Sequence, residues 1–386
     1  MNFFDPAHAA HPQPVFRALR ARCPVGRLFP GGPLVLSRYA DVHFALKHPE
    51  IFSSKMDAAQ IGNKRPLIPL QLDPPEQTKY RRLLDPLFSR RRMLRLETDI
   101  RALVNRLIDG FVEAGECEFN EAFAIPYPCT VFLRLMGLPI EDLGLFRELK
   151  DAIIRPQAAD PQKAQKIRAE AGDRIYAYFE GFLDERSRAP RDDLFSHLLS
   201  AEVDGQRLCR DEILDISFLL LLGGLDTVTA SLGCSVAHLA QHPERRRRLV
   251  ERPELVPSAL EELLRWETPV VQVVRVLARD FEVGGVRLQQ GENVTLVLGS
   301  ADTDETQFPH AERVDFERGR NLHLAFGSGP HRCLGSHLAR LELRVAIEEL
   351  HRRIPVYAIK PGAAPRYSPA IREVLYLPLV FEAVGA

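Results

Sequence analysis

The apolar positions of this chain fall mostly at helical spacing, and short β-branched runs interrupt them. Residues 14–22 (PVFRALRAR) predict a short helix opened by Pro14. Gly31-Gly32 turns into a predicted strand at Pro33–Ser37, and Tyr39–Lys47 predicts a helix. Residues 54–72 lack a clear period, and an irregular stretch of that length inside a compact domain is often functional. Pro74 and Pro75 then open a helix on which Gln77 and Arg81 share one face. Alone, that face reads as a solvated basic surface. Residues 96–208 are mostly helical by pattern, with loops marked by Gly115, Pro126, Pro139, Pro156, Pro161 and Pro190.

Residues 211–241 form the longest apolar helical pattern, from the acidic start Asp211-Glu212 to the stop at Pro243. Its middle is unfavourable for a helix. Gly223 and Gly224 cost about 1 kcal/mol each relative to alanine. Asp226 places a charge where an unpaired charge is expensive. Glycines that admit a neighbouring helix account for part of this. Downstream, 258–266 predicts a helix carrying Glu262 and Arg265, and Thr268–Val274 predicts a strand. Phe281–Thr295 predicts a hairpin turning at Gly284-Gly285, residues 301–322 are irregular, and a terminal hairpin holds Pro369-Ala370-Ile371. Leu338, Leu341, Val345 and Leu350 mark a last helix.

Just before that helix lies Phe326-Gly327-Ser328-Gly329-Pro330-His331-Arg332-Cys333-Leu334-Gly335, a glycine-rich loop presenting one cysteine. A helix N-terminus favours thiolate over thiol. A thiolate there can be a nucleophile, one ligand of a metal, or the axial ligand of haem iron. A zinc site usually takes four ligands, and only His331 is near in sequence. An isolated cysteine reads as a buried structural residue.

The loop resembles the haem-binding loop of the cytochrome P450 family, a long and specific motif. Three further motifs follow the family's order. Gly-Gly-Leu-Asp-Thr-Val at 223–228 resembles the oxygen-activation motif, as in the camphor-hydroxylase type. Glu262-Leu-Leu-Arg265 resembles the structural Glu-x-x-Arg. Asp73-Pro-Pro-Glu-Gln77-x-x-x-Arg81 resembles the segment that meets a haem propionate, with Gln77 where His is commoner.

The resemblance implies a mainly α fold with a small β region, as one P450 domain over 1–386, with haem b (iron protoporphyrin IX) between the long central helix and the cysteine-loop helix. It makes Cys333 the iron ligand. Gln77, Arg81, Arg275, Phe326, Gly327, His331 and Gly335 become haem-binding residues. Gly223, Asp226 and Thr227 become catalytic, with the Asp–Thr pair relaying protons to dioxygen and the Thr227 hydroxyl bonding back to the Gly223 carbonyl. Glu262 and Arg265 are scaffold. Residues 143–180 become a lid. Pocket candidates are Ile61, Leu67, Ile68, Val270, Val271 and Val274. The implied activity is hydroxylation of an apolar small molecule (terpenoid, fatty acyl or steroid-like) with dioxygen and electrons from NAD(P)H. The implied partners are an iron–sulfur ferredoxin and its NAD(P)H-dependent reductase. A peroxide-driven haem enzyme and a non-catalytic haem sensor are the alternatives, and Asp226-Thr227 would be superfluous in both.

Bulk properties agree. The 386 residues carry a formal net charge of −1, which does not favour nucleic acid. The six cysteines are scattered without close pairs, as in a reduced compartment. The N-terminus lacks a basic-then-apolar signal pattern, and no run is expected to reach the roughly 18 apolar residues of a membrane helix. A cytoplasmic protein of the bacterial type, with no membrane anchor, is the expectation. A basic face of Lys79, Arg81, Arg82 and Arg332, with Arg90–Arg92 as weaker candidates, is expected to meet the ferredoxin.

Overall fold

The computed structural model describes residues 5–28, 32–55, 61–158, 160–368 and 371–383. Contacts within the chain divide it into two compact units. One comprises Met1–Ser53, Phe88–Tyr127 and Thr227–Ala386, the other Ser54–Leu87 and Pro128–Asp226.

The first unit holds most of the β structure. A five-stranded sheet runs in the order Val25–Arg27, Leu34–Leu36, Asn293–Leu296, Val273–Leu277, Phe52–Ser53. Asn293–Leu296 pairs parallel with Leu34–Leu36 and antiparallel with Val273–Leu277. The predicted hairpin is therefore shorter than expected. Phe281–Val283 and Val286–Leu288 close it, and the residues beyond enter the larger sheet. The predicted strand at Thr268–Val274 also starts late, at Val273. Thr268 caps the preceding helix in a left-handed conformation (φ 37°), so the chain cannot be extended there. Val271 packs in a core cluster with Phe16, Leu19 and Val35. Pro369 and Ala370 lie outside the described residues.

The helices Val256–Glu267 and Ser336–Arg353 form the centre of this unit. Leu338, Leu341, Val345 and Leu350 are all buried, as their spacing predicts. Between the two helices runs a long irregular segment, held by Glu262 and Arg265. Both side chains are fully buried. The guanidinium donates to Glu262 twice, each at 2.8 Å, and to the carbonyls of Asp302 (2.9 Å), Ala311 (3.1 Å) and Arg313 (3.0 Å). All five donors of the arginine are thus used. Glu262 also accepts from the Asp315 backbone (2.9 Å), Arg318 (2.9 Å) and Asn321 (3.0 Å).

The second unit is mainly helical: Glu76–Leu84, Leu143–Ile154, Pro161–Arg188, Leu194–Ser200 and Arg210–Leu225. Asp160 caps the longest of these by accepting from the Gln162 backbone at 3.0 Å, and Pro161 opens it. Phe146 packs edge-on to Tyr178, with ring centroids 4.9 Å apart. The irregular segment is docked here by backbone contact. A Cβ on Gly172 would lie 1.9 Å from the Gly62 carbonyl oxygen. Beside it, Arg65 reaches buried Asp215 at 2.9 Å, and Tyr176 donates to the same carboxylate at 2.7 Å. Leu67 and Ile68 are buried.

The single long helix expected over 211–241 is interrupted at Asp226, into Arg210–Leu225 and Thr227–Gln241. Taken together, Arg210–Gln241 is long and apolar enough to cross a membrane, contrary to the expectation from the sequence. Its most apolar window is 78% buried inside the chain, as a core helix would be.

Removing one partner of a buried ion pair costs about 3–5 kcal/mol. Arg265→Ala is expected to lower unfolding stability by at least that amount, measured by denaturant titration, because three carbonyls also lose their donor. Burial pushes the Glu262 carboxyl up, but Arg265, Asp315 and Arg318 outweigh it and hold it below its ordinary 4.5. Its stabilisation is therefore full above about pH 4.5 and fades as pH falls through the lower folded value.

Candidate active site

The cysteine loop is a sequence of tight backbone turns. Gly327 and Gly329 take φ of 67° and 66°, where a side chain is disfavoured. A Cβ on Gly329 would sit 2.4 Å from the Leu46 carbonyl oxygen, so the loop packs directly on the backbone of the helix Tyr39–Lys47. The Gly327 N–H donates to the Leu324 carbonyl (2.7 Å), and the Cys333 N–H donates to the Phe326 carbonyl (2.8 Å). Cys333 is exposed and in no disulfide. Gly335 then takes the N-cap position of Ser336–Arg353, with open space around it. His331 and Phe326 are half-buried in the same loop. Arg275 lies buried in the strand Val273–Leu277 and donates to the Val274 carbonyl at 2.8 Å.

In the second unit the paired glycines separate in role. A Cβ on Gly224 would meet the Phe132 ring at 2.3 Å, so Gly224 admits a neighbouring helix. Gly223 has nothing within 4 Å of its Cβ position and is exposed, although Leu221, Leu222 and Leu225 are buried. That is the clearance a bound group requires.

Asp226 is buried and carries two cations. Lys150 reaches it at 2.5 Å and Arg155 at 3.4 Å. Burial lowers the Lys150 pKa, but Asp226 and Asp151 outweigh this and hold it above its ordinary value. Lys150 and Arg155 were not expected from the sequence. The available signal was the buried charge on Asp226, which demands a cation. Thr227 opens the following helix, and its carbonyl accepts from Ser231 at 2.8 Å.

Gln77 and Arg81 share a face of Glu76–Leu84. Gln77 is buried, and Arg81 pairs with Asp85 at 2.8 Å. The expected site residues therefore divide between the units. Gln77, Arg81, Gly223 and Asp226 belong to one; Thr227, Arg275 and the cysteine loop belong to the other.

Residues 143–356 match the family model for cytochrome P450. The chain is 34% identical over 372 residues to a vitamin D(3) 25-hydroxylase of Pseudonocardia autotrophica, covering 94% of this chain and 91% of that protein. It is 36% identical over 318 residues to a mycinamicin IV hydroxylase/epoxidase of Micromonospora griseorubida, covering 81% and 79%. Its fold matches the crystal structure of CYP109E1 from Bacillus megaterium in complex with testosterone, with a TM-score of 0.91, 28% identity, and coverage of 98% and 99%. The chain belongs to the cytochrome P450 family. It is an oxidoreductase of the monooxygenase class, and its cofactor is haem iron protoporphyrin IX.

The residues present suit that group. Among the described residues, no cluster of three or more His, Cys, Asp or Glu could hold a bare metal ion. Haem iron needs only one protein ligand, and an exposed cysteine in a side-chain-poor loop is of the type that could supply it. Gly335, at the end of that loop, has open space at its Cβ position.

The Asp226 cluster can be tested by paired substitution. Lys150→Met alone is expected to cost about 3 kcal/mol or more in denaturant unfolding, since a buried carboxylate is left with the more distant Arg155. Lys150→Met combined with Asp226→Asn is expected to recover most of that loss. Additive losses in the double variant would show that the pair is not coupled.

Proposed function

We propose that this chain is a haem-thiolate monooxygenase that hydroxylates an apolar, steroid-like small molecule with electrons delivered by an iron–sulfur ferredoxin. The observation that carries the reading is Cys333, exposed in a glycine loop that enters a buried helix. In this reading Cys333 ligates the iron. Arg81, Arg275, His331 and Gln77 hold the propionates, while Phe326, Gly327 and Gly335 shape the floor. Haem bound there supplies dioxygen activation, so that one oxygen atom enters a C–H bond and the other leaves as water, with two electrons and two protons consumed.

The remaining chemistry belongs to side chains. Asp226 is held by Lys150 and Arg155, and would exchange those cations for water or Thr227 in order to accept a proton from solvent and pass it on. The Thr227 hydroxyl is the last donor. A peroxide-driven enzyme or a haem sensor has no use for this pair. The substrate class rests on the relatives, one named for vitamin D(3) and one solved with testosterone, and on the aliphatic pocket candidates.

Electron delivery is supported by a groove of about 440 Å³ within the first unit. Arg90, Arg332, Arg340 and Arg344 surround Leu94 and Leu260 there. Leu94 is 44% exposed in this groove, whose four arginines outnumber its one lining carboxylate, Glu261. Of the basic residues expected from the sequence, Arg90 and Arg332 line this groove. Lys79 and Arg81 belong to the other unit and pair with Asp204 (3.5 Å) and Asp85 (2.8 Å).

The reduced protein with carbon monoxide should show the red-shifted Soret band of thiolate ligation, and Cys333→Ser should lose it. In the same preparations, Thr227→Ala should consume NADH but release peroxide or water in place of product. Retention of the band in the first variant, or equal product per NADH in the second, would remove that residue from its role. A panel of steroids, fatty acids and macrolides, scored by spectral shift, checks the substrate class.

Ferredoxin-dependent reduction should slow as salt rises, because exposed charges are screened over about 8 Å at physiological ionic strength. Arg90→Glu should slow it further and leave substrate affinity unchanged. Reduction indifferent to both places the docking face elsewhere. Turnover supported by peroxide alone, with none from NADH and partner proteins, would favour the peroxide-driven alternative.

A further inference from the structure

The Glu-x-x-Arg scaffold accounts for Glu262, but not for its neighbour Glu261. Glu261 grips Arg340 with both oxygens. Its Oε1 accepts from Nε at 2.6 Å, and its Oε2 accepts from a terminal nitrogen at 2.8 Å. Oε2 lies 3.0 Å from His323 Nε2. The other ring nitrogen of His323 accepts the Ala325 backbone N–H at 3.2 Å. The ring proton is therefore on Nε2, pointing at Glu261. The guanidinium so fixed lies 4.4 Å from the centroid of the Phe326 ring, within cation–π range. The Phe326 carbonyl accepts the Cys333 N–H at 2.8 Å. One carboxylate thus aligns an arginine against the residue that shares a backbone hydrogen bond with the cysteine.

A structural brace would need no charge here, since an apolar side chain can pack on Phe326. This cluster instead places one cation and one anion beside the cysteine loop. Their side chains are 31% and 28% exposed, so they are less screened than open surface charges. A cation near a redox centre favours the reduced form, which carries one more negative charge, and an anion opposes it. In the intact pair the two effects nearly cancel.

We infer that Glu261, His323 and Arg340 are positioning residues whose balanced charge sets how readily the haem beside Cys333 accepts an electron. This rests on Cys333 being the iron ligand. The partner groove and the clamp share Glu261 and Arg340, but the inference concerns the potential of the isolated protein, with no partner present.

The test is a reductive titration of the haem-loaded protein, followed by its absorption spectrum. Glu261→Gln keeps the shape of the side chain and removes the anion. The exposed cation should raise the equilibrium constant for one-electron reduction by about tenfold, which is 59 mV. Arg340→Met removes the cation and should shift it by a similar factor in the opposite direction. Arg340→Lys keeps the charge and should stay close to the parent. A brace without electrostatic function would loosen the loop in both charge-changing variants and shift them the same way. Shifts of the same sign overturn the inference. So does an unchanged or lowered constant in Glu261→Gln, which decides the matter by itself if Arg340→Met does not fold. The carbon monoxide band of the parent separates the two levels: its absence removes the Cys333 reading, while its presence with unmoved potentials removes only the clamp.

Discussion

A buried guanidinium must have all of its donors satisfied, and the first unit depends on how this is done for Arg265. Its two contacts to Glu262 neutralise charge, but its three carbonyl partners come from the irregular segment at Asp302, Ala311 and Arg313. Glu262 reaches further along the same segment, to Asp315, Arg318 and Asn321. A stretch with little regular hydrogen bonding of its own is thereby organised around one ion pair. That stretch leads directly into the loop at Phe326–Gly335. The placement of Cys333 is thus inherited from a charge pair that takes no part in the chemistry proposed for it.

The same logic recurs at two other charges in this chain. Asp226 is matched by Lys150 and Arg155, and Glu261 by Arg340 and His323. A matched pair is locally neutral, so it tolerates burial. It can also respond, because displacing one member exposes the other. In the Asp226 cluster the proposed response is proton transfer, and in the Glu261 cluster it is a change in electron affinity.

Much of this was legible in the sequence. The cysteine loop could be read because its glycines are required by backbone geometry, and positive φ at Gly327 and Gly329 leaves few substitutes. The last helix could be read from its apolar spacing. The hairpin from Phe281 ends earlier than its pattern predicts, and the strand leading to Val274 begins later, for one reason. Pairing with strands distant in sequence decides where a strand begins, and a local pattern does not carry that information. The break at Asp226 is visible as a charge in an apolar pattern, but the cations that resolve it, Lys150 and Arg155, lie some seventy residues earlier, in and just after the helix Leu143–Ile154. Glu261, a glutamate next to a known motif, carries no signal until its partner is located in space.

The contact between Gly62 and Gly172 has a practical consequence. The two backbones meet with no room for a single methyl group on either residue. Anyone diversifying residues 61–72 is therefore working around a backbone contact that is already specified. Randomising position 62 would fill a library with chains whose loop no longer reaches the helix at 172. Changing Lys64 would break its ion pair with Asp173 (2.9 Å), and changing Arg65 would break a contact with Asp215; both contacts steady that seam.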